Sequence, residues 1–188
     1  IDMVNYGAAA QVYFNRHADA PVNVAFDSFK TYASYGSADF RTPLADMSGE
    51  TVNEGATGKL NQGLDLSTRV GITYKVTLPA GVAAEDAELV IRDARGNVLD
   101  TIEVASGTID SKGRYQVIFY GNSSKDMRRT VYATAYAKGE AITNTYSYTV
   151  STYAWSIAQN AASMPAALVD VTRALIIYGD SAADLFGG

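Results

Sequence analysis

Hydrophobic and polar positions follow a helical period at both ends of the chain and a period of two in its middle. The spacing near the start predicts a helix over residues 2–15. From residue 58 apolar and polar residues alternate, most regularly over residues 70–78, and this alternation is typical of a half-buried strand. The helical period returns after Val150 and predicts two helices, the second of them strongly apolar.

Clusters of Asp, Gly, Lys and Asn separate the alternating runs and predict tight turns between antiparallel strands. The clearest are residues 93–97, 110–113 and 138–141. Strands this short at this spacing predict an antiparallel β-sandwich of about six to eight strands. We expect N- and C-terminal helices to pack against it, so the predicted fold class is mainly β with helices.

The last hairpin predicts its own register. A tight turn at Gly139 and Glu140 pairs residues 131 and 133 with residues 148 and 146, so that Val and Ala face Tyr in a core layer. The opposite face is covered by helices, exposed to solvent or a ligand platform. It carries Tyr132, Thr134, Tyr136, Thr143, Thr145 and Thr149.

Capping residues predict the helix boundaries near the end of the chain. Ser151 or Thr152 can cap the first C-terminal helix. Ser163 can cap the second, with Pro165 in its first turn, where a missing N–H has no cost. Gly187 follows Phe186 and predicts the end of that helix.

These patterns divide the chain into three segments, which we expect to form one compact unit. Residues 1–57 hold the first helix and an irregular segment, which is long enough to be functional or to contain short strands. Residues 58–150 form the sandwich, and residues 151–188 form a helical pair. No capping residue precedes the first helix, so we expect the unit to belong to a longer polypeptide.

Composition narrows the function classes. The 15 basic and 20 acidic residues give a net charge of −5, which disfavours nucleic-acid binding because that requires neutralising phosphates. With no Cys and one His, thiolate chemistry is excluded and His-based catalysis is disfavoured. No apolar stretch approaches the ~20 residues needed to cross a bilayer, so we predict no membrane insertion. No enzyme motif occurs, and we predict neither catalytic residues nor a cofactor.

The titratable candidates have simpler structural explanations. His17 follows the first helix and is interpreted as a loop residue, since no nucleophile motif accompanies it. Asp93, Asn97 and Asp110 could offer oxygen ligands to Ca²⁺. Turn chemistry explains the same three residues, and no EF-hand spacing is present, so we predict no metal site.

The two ends of the chain resemble each other at a constant offset. The match joins Tyr6 to Tyr178, Gly7 to Gly179, Ala10 to Ala182 and Phe14 to Phe186. Small residues at this spacing let a helix backbone approach its neighbour, and the aromatic residues then anchor the contact. Chance similarity is the alternative. If the match is a repeat, the chain spans one unit and the end of a preceding one.

Residues 3–14, MVNYGAAAQVYF, resemble a motif that recurs in large secreted and cell-surface proteins of anaerobic gut bacteria. Residues 58–76 and 146–154 are similar to other parts of the same modules, in which β-strands are followed by two helices. Such modules often accompany machinery that degrades or adheres to polysaccharides, including starch. The resemblance implies an extracellular, non-catalytic accessory module of a bacterial protein. Residues 178–181 read YGDS instead of the Ala-rich form, so this helix can present a different outward face.

Sugars bind by stacking on flat aromatic rings while polar side chains hold their hydroxyl groups. The predicted carbohydrate-binding residues are Tyr32, Tyr35, Phe40, Arg41, Tyr120, Asn122 and Trp155. The first hypothesis is a carbohydrate-binding or adhesion module that tethers a larger secreted protein to a polysaccharide, with starch or a plant glycan as candidates. Its other partners would be neighbouring domains of the same polypeptide. The alternative is a structural spacer or protein-interaction repeat that binds no sugar.

Overall fold

The computed structural model describes residues 2–14, 44–67 and 69–187. Most of the irregular segment expected after the first helix lies outside these ranges. The α-helices and strands in these ranges are α1 (Asp2–Tyr13), β1 (Gly49–Thr51), β2 (Lys59–Asp65), β3 (Gly71–Thr77), β4 (Ala87–Arg92), β5 (Val98–Glu103), β6 (Thr108–Ile109), β7 (Tyr115–Phe119), β8 (Val131–Ala137), β9 (Glu140–Ala141), β10 (Thr145–Tyr148), α2 (Val150–Gln159) and α3 (Ala166–Phe186).

The chain divides into two compact units. A β unit comprises Met47–Ser123 and Arg129–Val150. A helical unit contains α1, the turn at Ser124–Arg128 and the chain from Ser151 onward. The boundary after Val150 coincides with an expected cut. The β unit begins before residue 58, because β1 pairs within it, and the 124–128 turn belongs with the helices.

The β unit consists of two antiparallel sheets arranged as a sandwich, which confirms the predicted mainly β fold. One sheet has the order β1-β10-β8-β4-β5, with β9 paired to β8, and the other has the order β2-β3-β7-β6. Alternate residues of the central strands are fully buried, among them Ile72, Tyr74 and Val76 in β3. In β4 the alternate residues Leu89 and Ile91 are also fully buried. Each central strand therefore contributes one apolar face to the core.

The last hairpin has the predicted register, but its turn lies at a different position from the predicted one. Tyr146 is paired with Ala133, as expected. The turn, however, is centred on Lys138 and Gly139, which have φ of 53° and 84°, and not on residues 139–140. Positive φ at both central positions matches the twist of a two-residue hairpin. The prediction of the turn position was therefore wrong by one residue.

A bulge at residues 143–144 restores the register. The Thr143 hydroxyl accepts a hydrogen bond from the N–H of Ala135 at 3.0 Å, in place of a ladder carbonyl. The Asn53 side chain donates to the Thr143 carbonyl at 2.8 Å, and the Asn144 side chain accepts from the Asn53 N–H at 3.0 Å. Thr143 therefore leaves the regular Thr/Tyr face, whose Thr134 and Thr145 hydroxyls hydrogen-bond each other at 2.7 Å.

In the helical unit, α1 and α3 form an antiparallel pair. The Tyr6 ring stacks on the Tyr178 ring with centroids 5.9 Å apart. Towards the other end of α1, Ala9 packs in a buried cluster with Val171 and Ala174. Tyr6 contacts residue 178, whereas Ala9, further along α1, contacts residues 171 and 174, so the two helices run in opposite directions.

The turn at Ser124–Arg128 is fastened to both C-terminal helices. The Arg128 guanidinium binds both carboxylate oxygens of Asp180, at 2.7 and 3.0 Å, and also donates to the Ser151 hydroxyl at 3.3 Å. Met127 covers Gly179, where a Cβ would lie 2.7 Å from the methionine sulfur. The small residue at Gly179 thus admits this turn. Gly7 has no atom within 4 Å of its missing Cβ, so neither glycine serves the predicted close helix approach.

The C-terminal helices begin differently from the prediction. Ser151 and Thr152 lie inside the first turn of α2, which begins at Val150. Ser163 donates to the Asn160 carbonyl at 3.0 Å and does not cap α3, because Pro165 occupies the N-cap position. The predicted stop is confirmed: Gly187 adopts the left-handed conformation and its N–H bonds the Ala183 carbonyl.

We predict that Gly121→Ala destabilises the β unit. A Cβ at this position would lie 2.2 Å from Cζ of Phe119, a ring that is fully buried and has no room to move. Urea unfolding should show a loss of about 2 kcal/mol in the free energy of unfolding. Gly63→Ala is the matched control, since its Cβ meets nothing within 4 Å. Equal stability of the two variants would contradict the prediction.

We also predict that Arg128→Met destabilises the helical unit by about 3 kcal/mol, because it leaves the Asp180 carboxylate buried without its cation. Denaturant titration followed by helical circular dichroism measures the loss. Lys125→Met is the control, since it removes a cation from the same turn whose ammonium makes a long contact of 3.5 Å with the Gly187 carbonyl. It should lower the free energy of unfolding much less than Arg128→Met does. Adding Asp180→Leu to Arg128→Met should recover most of the stability; a further loss would contradict this account.

Candidate functional site

The candidate site is the solvent-facing side of the sheet β2-β3-β7-β6, called here the outer face. Because side chains alternate along a strand, the residues that do not point into the core all project from this side. Asn61, Lys75 and Gln116 lie side by side across β2, β3 and β7. Gly63, Thr73 and Ile118 form the next row. The outer face is thus mainly polar.

A shallow groove of about 410 Å³ runs over this face. Asn61, Asp65, Thr73, Lys75, Arg114 and Gln116 contribute to its lining. Gly63 leaves its floor open, since no atom lies within 4 Å of its missing Cβ. Within the described residues Lys75 takes part in no ion pair, so its ammonium can donate to a ligand. The groove offers both donors and acceptors on a rigid floor.

Arg114 at one end of the groove is held by Asp110. Its guanidinium contacts the Asp110 carboxylate at 2.7 and 2.8 Å, and it also lies 3.4 Å from the Asn61 side-chain oxygen. Asp110 further accepts the N–H groups of Lys112 and Arg114 in its own turn. The hydrogen bond from the Arg114 side chain is the main cause that lowers the pKa of Asp110 to about 2.

Tyr120 closes the other end. Its hydroxyl donates to the Asp65 carboxylate at 2.9 Å, and its ring lies against Gly71, where a Cβ would be 2.7 Å from ring carbons. The Arg69 guanidinium stands 4.1 Å from the ring centroid. Burial alone would raise the pKa of Asp65, but the hydrogen bonds from Ser67 and Tyr120 outweigh it and lower that pKa. Asp65 is therefore ionised and oriented.

The predicted binding residues are distributed over both units. Tyr120 borders the groove, but Gly71 and Arg69 already contact its ring. Asn122 is buried, and its side-chain oxygen accepts a hydrogen bond from Arg129 at 2.7 Å. Trp155 is half-buried on α2 in the helical unit. The other predictions lie outside the described residues: Tyr32, Tyr35, Phe40, Arg41 and His17.

Sequence reasoning missed the polar residues of the groove. Thr73 and Lys75 belong to the strand whose alternation is clearest, and their polarity marks the face opposite the core. Gln116 lies in the strand after the turn at residues 110–113. The signal for Thr73 and Lys75 was the polar half of the β3 pattern. Their neighbours across the sheet follow only from the strand order.

The turn interpretation of Asp93 and Asp110 is confirmed by their hydrogen bonds. The Asp93 carboxylate accepts the N–H groups of Arg95 and Asn97 at 2.8 and 2.9 Å, in the same pattern that Asp110 makes. In residues 2–14, 44–67 and 69–187 no group of three or more His, Cys, Asp or Glu side chains is arranged to hold a metal ion. None of the helices described there combines the length and apolarity that a bilayer crossing requires.

Comparison with protein-family models finds no match to this chain, and comparison with curated proteins finds none either.

We predict that Asp110→Asn weakens the acid dependence of stability. The pKa of Asp110 is about 2 in the folded chain against an ordinary 3.8, so its stabilisation is complete above about pH 4 and is lost as the pH falls through about 2. The variant should be less stable than the parent at neutral pH. The difference should shrink between about pH 4 and about pH 2, where urea unfolding measures it.

The control for this experiment is Ser111→Ala, which changes the same exposed turn without altering a charge. It should follow the parent at every pH. A gap between parent and Asp110→Asn that stays constant down to about pH 2 would show that the carboxylate is not the titrating group.

Proposed function

We propose that this chain is a non-catalytic, extracellular carbohydrate-binding module that attaches a larger bacterial protein, secreted or on the cell surface, to a polysaccharide through the outer face. The observation that carries the proposal is the open polar groove over a regular sheet. Sugars present hydroxyl groups at short intervals along a chain, and amide, hydroxyl, ammonium and carboxylate groups at fixed spacing can bind them.

The geometry of the sheet supports a ligand that is extended. Neighbouring strands are about 4.8 Å apart, so Asn61, Lys75 and Gln116 span roughly 10 Å across the face. This is of the size of two sugar rings. Because the three side chains stand on paired strands, binding would order little backbone and would cost less conformational entropy than binding on a loop.

The charged groups at the groove ends favour recognition over catalysis. Asp65 and Asp110 both have lowered pKa values, so neither carboxyl is kept protonated as the general acid of a glycosidase must be. Each is already engaged, Asp65 by Tyr120 and Asp110 by Arg114. In this proposal both fix the ends of the groove.

Affinity electrophoresis on starch, xylan, mannan, pectin and mucin tests the proposal. We expect retardation on at least one of these glycans. Lys75→Ala and Gln116→Ala should each weaken binding about tenfold, which corresponds to the loss of one or two hydrogen bonds. Thr101→Ala is the control, because Thr101 is exposed on the edge strand of the other sheet. Retardation that survives both groove variants would place the sugar elsewhere.

A spacer or protein-interaction repeat is the second candidate. It is favoured by one observation, the pairing of α1 with α3 through residues that match each other in sequence, such as Tyr6 and Tyr178. Repeated helices that pair in this way suit the joining of successive domains. No retardation on any of the five glycans would leave this candidate ahead.

A further inference from the structure

The outer face carries an excess of positive charge on a chain whose net charge is −5. The four strands of its sheet contain two lysines, Lys59 and Lys75, and one acidic residue, Asp65. Leu60 and Val76, the strand neighbours of the lysines, are buried in the core, so both lysines project from the outer face. Acidic residues therefore predominate in the chain but not on this face.

Lys59 and Lys75 are neighbours and are called here the lysine pair. Lys59 lies opposite Thr77 in the ladder, and Lys75 is two residues from Thr77, so the two are diagonal neighbours about 7 Å apart. In the part of the chain that the structure describes, neither ammonium forms an ion pair. Like charges this close repel each other, so the pair does not stabilise the sheet. Its arrangement suits an anion bound between the two ammonium groups.

The two carboxylates at the ends of the groove are engaged elsewhere. Asp65 pairs with Gly71, which lies four residues along β3 from Lys75, or about 13 Å at the usual rise of a strand. Its carboxylate already accepts two hydrogen bonds. The Asp110 carboxylate is bound by the Arg114 guanidinium. Neither carboxylate serves as the counterion of the lysine pair.

A ligand that covers the groove must displace water from the half-buried Lys75. Sugar hydroxyls replace the lost hydration of an ammonium only in part, whereas an anion also attracts it. The side chains on either side of Lys75, Asn61 and Gln116, are uncharged amides that can bind hydroxyl groups. The row therefore combines donors and acceptors for a sugar with a cation that favours a negative charge on it.

We infer that the outer face selects a glycan whose sugar units carry a negative charge, a carboxylate or a sulfate, which binds at the lysine pair. This inference rests on the proposed sugar-binding function and adds the class of polysaccharide. Neutral glycans such as starch should bind more weakly. At physiological salt, charges more than about 8 Å away are largely screened, so acidic residues elsewhere on the chain do not cancel the local attraction.

The test compares glycans that differ only in charge. Isothermal titration calorimetry measures binding of oligogalacturonate against its methyl ester, and of dextran sulfate against dextran. In at least one comparison the charged glycan should bind at least about tenfold more tightly, and the comparison that responds identifies carboxylate or sulfate. The preference should shrink severalfold as NaCl rises from about 50 to about 300 mM, because salt screens the attraction.

Variants locate the preference on the outer face. Lys75→Gln removes the charge but keeps a hydrogen-bond donor, and should weaken binding of the charged glycan about tenfold. Lys59→Gln should weaken it less, about threefold, because Lys59 is exposed. Arg95→Gln is the matched control. It changes the net charge equally, but in an exposed turn of the other sheet, and should alter the affinity less than about twofold.

The outcomes separate this inference from the function on which it rests. Equal binding within both comparisons, or a preference that survives Lys75→Gln, would overturn the inference and leave sugar binding intact. Polyglutamate, a polyanion without sugar, should bind at least about tenfold more weakly than the charged glycan. Equal binding of polyglutamate would also overturn the inference, because any polyanion would then suffice. If no glycan binds, the proposed function fails and the inference fails with it.

Discussion

Strand β3 must bury one complete face, and the β unit is organised around that requirement. Ile72, Tyr74 and Val76 are all fully buried, and β2 and β7 pair with β3 on its two sides, so its backbone groups are satisfied within the sheet. The same alternation forces Thr73 and Lys75 to the opposite side. The core and the floor of the candidate site are therefore two faces of one strand, and a change that shifted its register would destroy both.

Because the outer face is carried by a paired central strand, the kind of ligand that it can bind is limited. Side chains carried by a paired central strand have fixed spacing, so they suit a ligand with regularly repeated polar groups better than one that needs an enclosing pocket. Hydrogen bonds between residues far apart in sequence lie at the two ends of the groove, from Tyr120 to Asp65 and from Arg114 to Asn61. The face is thus preorganised along its length.

The sequence pattern predicted which residues pair across the last hairpin more accurately than it predicted the position of the turn. The register of Ala133 with Tyr146 was correct although the turn was misplaced, because the shift of the turn to Lys138 is compensated by the bulge at residues 143–144. Alternation reports which residues share a face, whereas a turn depends on the φ angle of single residues such as Lys138. The groove is not predictable from the sequence for a related reason. Its polar side chains come together only through strand pairing, and the Tyr120 ring, a predicted sugar contact, lies under Arg69.

The repeated helix motif shows what symmetry in sequence can and cannot impose. Equal residues brought together antiparallel must meet at an axis, and the stacked rings of Tyr6 and Tyr178 mark it. Away from the axis the two helices diverge in what covers them: Gly179 lies under Met127, whereas Gly7 is open. The motif therefore encodes the pairing surface, while the remaining faces of each helix are determined by whichever segments of chain lie beside it.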